Sequence, residues 1–157
     1  AKANPLYLSY LNGFKEFKPV KAQKTLANAI QIGDPVSYKK AIKVLKEFNG
    51  IVEQATEDEL ANASAQSDRT GLFSCPHTGV ALAVLIKLLD KKAIKPHEKV
   101  VVISTAHGLK FPEFKINYHE NRLEEVTPRF ANLPVEVPPQ YDAVRTAIYR
   151  KLEQASS

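Results

Sequence analysis

The chain has 157 residues, 44% of them hydrophobic and 25% charged, which suits one globular domain with a core and excludes a disordered chain. No apolar run approaches the roughly 20 residues of a membrane-spanning helix. The net charge of +5 is spread along the chain without a basic block, which points to solubility or attraction for anionic small molecules and gives nucleic-acid binding no support. Cys75 is the single cysteine, so an intramolecular disulfide is excluded and a reducing compartment is weakly favoured. The chain begins at Ala1 and has no methionine, and its first residues carry neither an h-region nor a cleavage motif. The expectation is a processed form or a piece of a longer protein, for which a missing targeting segment says nothing about destination.

Residues 1–30 mix aromatics, Pro and Lys and read as loops with short turns. Asp34-Pro35 then reads as an N-cap followed by Pro at the first helical position. Tyr38, Ala41, Ile42, Leu45 and Phe48 recur at helical spacing, and Asn49-Gly50 ends that helix. IVEQA (51–55) reads as a short strand. Thr56 and Glu59 form a capping-box pattern for a second helix ending near Thr70-Gly71. LFSCP (72–76) reads as another short strand. A third helix starts near His77-Thr78, with Leu82, Leu85, Ile86 and Leu89 on one face and Lys91 and Lys92 at its C-terminal end. Lys99 to Thr105 is almost wholly apolar and lacks alternation, as a strand buried on both faces of a parallel sheet would. The order of helix, strand, helix, strand, helix, strand, helix argues an α/β fold with parallel strands. A proline-rich stretch, TPRFANLPVEVPPQ, wraps the surface, and a last helix over about 139–153 carries Tyr141, Val144, Ala147, Ile148 and Leu152 on its apolar face.

Sheets of that kind bind ligands beyond the carboxyl ends of their strands. Ser104 to Gly108 stand at such an end, as do Ser74 to His77 and Glu53-Gln54, so the three form one ligand edge if the strands are neighbours. Thr105 either presents a neutral hydroxyl to a ligand or caps the following helix. His107 either acts as a base or metal ligand or orients its loop. Cys75 and His77, separated by one proline, are not a metal-ligand spacing, and no metal site is expected. A Cys–His nucleophile pair exists on paper, but nothing in the sequence supplies the helix end or charge that would lower the thiol pKa. Six glycines include no phosphate-cradling loop, and neither a Walker A nor a GxSxG motif is present.

Four stretches, NPLYLSYLNGFKEFKPV (4–20), AIQIGDPVS (29–37), LFSCPHTGVALA (72–83) and VVVISTAHGLKF (100–111), together with NGIVEQATEDEL (49–60), resemble in order the C-terminal part of the threonine synthases, most like the plant type. The resemblance covers nearly the whole chain, with PHTGVALA and STAHGLKF its specific elements. It implies a pyridoxal-phosphate enzyme of fold type II, like tryptophan synthase β chains, that converts O-phosphohomoserine and water to threonine and phosphate. It implies that Thr105 bonds the pyridine nitrogen of the cofactor, that His107 and Gly108 share its loop, and that Thr78 lies near the ligand. The Schiff-base lysine and the phosphate loop of the family lie upstream of these residues. Ser37-Tyr38-Lys39 only imitates the lysine motif, because it follows IGDP in a different family segment. Residues 1–157 are then the closing portion of the large domain, with a loop-rich entry (1–30), an α/β core (31–121), a proline-rich wrap (122–138) and a terminal helix (139–153). The resemblance further implies a chloroplast enzyme, a homodimer when full length that responds to S-adenosylmethionine, with no nucleic acid or membrane partner. A threonine dehydratase, or a non-catalytic α/β ligand-binding module, are the alternatives. An upstream Ser-x-Lys motif would discriminate against the module, and PHTGVALA and TAHGLKF argue against the dehydratase.

Overall fold

A computed structural model describes residues 1–156. Six α-helices are laid out along them: α1 (Pro5–Leu11), α2 (Tyr38–Glu47), α3 (Glu57–Asp68), α4 (Pro76–Asp90), α5 (Pro112–His119) and α6 (Tyr141–Ser156). Short 3₁₀ turns at Asn28–Ile30 and Gly108–Lys110 complete the regular structure.

The core is built around α3. Thr56 caps it: its hydroxyl accepts from the Glu59 N–H at 3.2 Å, and the Glu59 carboxylate accepts from the Thr56 N–H at 2.8 Å. This is the reciprocal pair that the sequence spacing predicts. Leu60 to Ala65 are buried in unbroken succession, so α3 is covered on every side. On one side α4 comes close, because Gly79 has no side chain: a Cβ there would lie 2.4 Å from the Leu60 carbonyl oxygen. On another, Phe114 and Tyr118, four residues apart on α5, bury their rings against it. On a third runs the start of the proline-rich wrap. The Asn62 amide donates to the Thr127 carbonyl at 3.1 Å, and its Oδ1 accepts from the Tyr118 hydroxyl and the Arg129 N–H. Asp58 accepts from the Thr127 N–H at 2.9 Å. Buried polar groups thus all find partners where the wrap meets the helix.

Several expectations change. Among the described residues there is no β-strand. The segments 51–55, 72–76 and 99–105 form no ladder beyond a single bridge at Ser74, and the sheet expected from them is absent here. The apolar run is the clearest case: Val101 and Ile103 are 89% and 77% exposed rather than buried on both faces. Among the described residues no neighbouring strand lies beside them to accept their hydrogen bonds. The first long helix begins at Tyr38 rather than beside Asp34-Pro35, because residues 35–37 form a turn and Ser37 is the cap position. The third begins at Pro76, one residue before the expected start, with Cys75 as its N-cap. Pro5 opens α1 in a region read as loops; its missing N–H falls where a helix has no use for one. The terminal helix has its apolar face as predicted, but Tyr141, Val144, Ile148 and Leu152 are exposed.

A candidate ligand edge at the start of the fourth helix

Two of the three predicted ends meet. Ser74 and His107 form an isolated antiparallel bridge, reinforced by Gly108 N–H to the Phe73 carbonyl at 2.9 Å and Cys75 N–H to the Ala106 carbonyl at 3.3 Å. The third end does not join them. Gln54 accepts at its carbonyl from Lys87 Nζ at 2.9 Å, and Glu53 pairs with Lys91. Lys87 lies nine residues along α4 from Thr78, about 14 Å at the helical rise of 1.5 Å per residue. Glu53 and Gln54 therefore belong to the opposite end of α4, a fact that strand order alone does not reveal.

At the near end, Pro76 occupies the first turn and Cys75 sits in extended backbone before it. The Cys75 sulfur accepts from the Thr78 N–H at 3.4 Å, which makes the thiol the cap of α4. Around it gather three hydroxyls. Thr78 Oγ1 is 3.2 Å from the sulfur and 3.2 Å from Ser104 Oγ, and Thr105 Oγ1 is 3.7 Å from the sulfur. Cys75 and Thr78 are buried, whereas Ser104 and Thr105 are exposed, so the cluster runs from the interior to the surface.

This arrangement corrects the reading of the thiol. Burial by itself would push it up. The side-chain and backbone hydrogen bonds of Thr78, joined by those of His77 and Thr105, outweigh burial and bring it from 9.0 down to about 6. A helix N-terminus favours the thiolate for the same reason that it favours any anion. The helix end that seemed missing is the one Cys75 itself caps.

Thr105 does not cap the following turn. His107 does, its Nδ1 accepting from the Leu109 N–H at 3.2 Å. That is the geometry of a loop-orienting group, with the ring tilted 5.6 Å from that of Phe73. Gly108 is buried, with no room for a Cβ against Phe73. His77 accepts from the Ala29 N–H through Nε2 at 3.0 Å and packs edge-on to Phe111. Lys39 is exposed on α2, beside the Tyr38 ring. Among the described residues no group of three or more His, Cys, Asp or Glu is placed to hold a metal ion.

The edge is open. Concavities of roughly 310, 630 and 610 Å³ lie elsewhere on the described residues, and Thr105 lines none of them. The sequence also missed two groups at this edge, Cys75 as cap and Ser104 as neighbour of Thr78. A Cys-Pro pair opening an apolar helical run is the signal that could have found the first, since Pro favours the first helical turn.

Residues 2–106 match the family of pyridoxal-phosphate dependent enzymes. The chain is 53% identical over 154 residues to chloroplastic threonine synthase 2 of Arabidopsis thaliana, an alignment covering 98% of this chain and 30% of that protein. It is 33% identical over 123 residues to the threonine synthase of Methanocaldococcus jannaschii, covering 78% of this chain and 30% of that one. It is 32% identical over 148 residues to that of Methanosarcina acetivorans, covering 94% and 34%. The chain thus spans about a third of the length of these curated relatives.

Proposed function

The chain belongs to the pyridoxal-phosphate dependent enzymes, and from that premise we propose that it is the closing portion of the large domain of a threonine synthase. The proposed reaction converts O-phosphohomoserine and water to L-threonine and phosphate. The observation that carries the reading is the Thr105 hydroxyl, exposed beside the start of α4 with the hydroxyls of Thr78 and Ser104 behind it.

That donor set suits the cofactor's ring nitrogen. A hydroxyl offers one proton and two lone pairs, so it can meet the nitrogen in either protonation state. No carboxylate is hydrogen-bonded to Thr105, so the ring would be held with less stabilisation of charge on it than an acid would provide. When bound, the cofactor supplies the electron sink of the reaction. Thr105 would hold the ring nitrogen, His107 and Gly108 would keep the loop that carries Thr105 in shape, and Thr78 would anchor its far side. The imine lysine and the phosphate donors are assigned to residues outside this chain; Lys39 stands in the wrong segment.

The domain reading follows the same line. Residues 1–30 enter, 31–121 form the core, 122–138 wrap and 139–153 close the large domain. In the whole enzyme, segments 51–55, 72–76 and 99–105 are read as parallel strands of an α/β sheet. The exposed Val101 and Ile103 support this, because a strand in a parallel sheet is covered on both faces. A homodimer and a plastid location are proposed with it, the latter supported by the name of the Arabidopsis relative.

Thr105→Val in the full-length enzyme tests the reading. The lost hydrogen bond, about 0.5–1.5 kcal/mol, should raise the dissociation constant for pyridoxal phosphate severalfold and lower turnover. Wild-type values of both would remove Thr105 from the site.

A further inference from the structure

Beneath the Thr105 edge lies an ion pair between a buried lysine and a half-buried aspartate, for which the proposed reaction has no use. Lys115 on α5 is 6% exposed. Its Nζ donates to Asp68 Oδ2 at 2.5 Å and to Ser64 Oγ at 2.9 Å, and it stands 4.6 Å from the centre of the Phe73 ring. A buried ammonium is tolerated only when it is paired and hydrogen-bonded, and an apolar side chain would fill the same space at less cost. What the charge adds is direction.

The direction is toward the crossing of two segments. The second oxygen of Asp68, Oδ1, accepts from the Ser74 N–H at 3.1 Å. The Ser64 hydroxyl is 3.3 Å from both the carbonyl oxygen and the hydroxyl of Ser74. The adjoining residues tie to the Thr105 loop through Cys75 to Ala106 and Gly108 to Phe73. Gly108 rests on the same group: a Cβ there would lie 2.7 Å from the Phe73 ring and 2.9 Å from Lys115 Cε. Lys115 therefore touches both sides of the crossing. It reaches segment 73–75 through Asp68 and Ser64, and it lies directly beneath Gly108.

We propose that Lys115, through its ion pair with Asp68, is a positioning residue that fixes the crossing of segments 73–75 and 105–108 and so the place of the Thr105 hydroxyl against the cofactor ring. The inference rests on the reading that Thr105 meets the ring nitrogen.

The test uses the full-length enzyme with Lys115→Met, Asp68→Asn, the two combined, and Thr105→Val alongside. The readouts are melting temperature and the dissociation constant for pyridoxal phosphate, neither of which needs turnover. Each single change leaves one charge of the pair without its partner and lowers the melting temperature; the combination regains most of the loss. In the combined variant the dissociation constant should nevertheless stay raised severalfold, up to the change that Thr105→Val produces, because the hydrogen bond of a misplaced hydroxyl is weakened or lost. Its return to the wild-type value together with stability would overturn the proposal and leave the pair a packing feature. If Thr105→Val alone leaves the constant unchanged while the Lys115 variants raise it, the reading of Thr105 fails, and the pair then holds the crossing for some group other than the Thr105 hydroxyl, which overturns the proposal as stated. Should the variants not fold, amide hydrogen exchange in the wild-type enzyme decides. The Ser74, Cys75 and Gly108 amides should exchange as slowly as those of α3, and exchange at the rate of an open loop would overturn the clamp.

Discussion

Cys75 shows how one residue changes meaning with its surroundings. As a lone cysteine it has no partner for a disulfide and no metal-ligand spacing. As the cap of α4 it receives the Thr78 N–H and touches two hydroxyls, and its thiol falls to about 6. Because it is the single cysteine, the ultraviolet absorbance of the thiolate reports it alone. The folded protein should titrate with a midpoint near 6, and a midpoint at the ordinary 9.0 would refute the cap's effect. The sign of the accompanying stability follows. The folded pKa is depressed, so the contribution is complete above the unfolded value of 9.0 and is lost as pH falls through about 6. Between those limits the stability difference between wild type and Cys75→Ser should grow with rising pH. Thr105 was legible only in part. Its motif marked it, but its contact with the sulfur 30 residues away in sequence is a tertiary fact.

At the level of elements, α3 and α4 carry the fold, and the start of α3 was readable because capping is local. Thr56 and Glu59 are three residues apart and satisfy each other's backbone donors wherever the helix goes. Thr56→Ala should cost about 1 kcal/mol, read as a lower denaturant midpoint at unchanged slope. Gly79→Ala should cost more, about 1–3 kcal/mol, since the added carbon would collide with the Leu60 carbonyl and force the two helices apart. A wild-type midpoint for Gly79→Ala would show that the helices are less tightly packed than this. Helix α1 was not legible. Its seven residues are too few for periodicity to speak, and only Pro5 and Ser9 are buried to hold it.

For the whole molecule the telling feature is uncovered apolar surface. Val101, Ile103, Leu72 and Leu109 are exposed around the proposed ligand edge, and the apolar face of α6 is exposed as well. Such surface in a chain spanning about 30% of its Arabidopsis relative calls for a covering body. The isolated 157 residues should therefore bind a hydrophobic dye and melt with poor cooperativity. A sharp two-state transition without dye binding would argue for a domain sufficient in itself. The same residues, given pyridoxal phosphate, should release no phosphate from O-phosphohomoserine, since one hydroxyl contributes about 0.5–1.5 kcal/mol and cannot retain the cofactor unaided. Turnover by the isolated chain would return Lys39 to consideration.

Sequence alone determined the helices with local signals, the family resemblance and the position of Thr105 within its motif. These depend on residues a few positions apart, or on a motif read in order. Only the tertiary structure decided that Glu53-Gln54 lies at the far end of α4, that the Cys75 thiol meets Thr105, and that Lys115 and Asp68 pair under the crossing of two loops. Each of those depends on contacts between residues distant along the chain, which no local pattern encodes. The apolar run 99–105 has the character of an interior strand, yet whether it is one depends on neighbours that pair with it, and hydrogen bonds between strands need both partners.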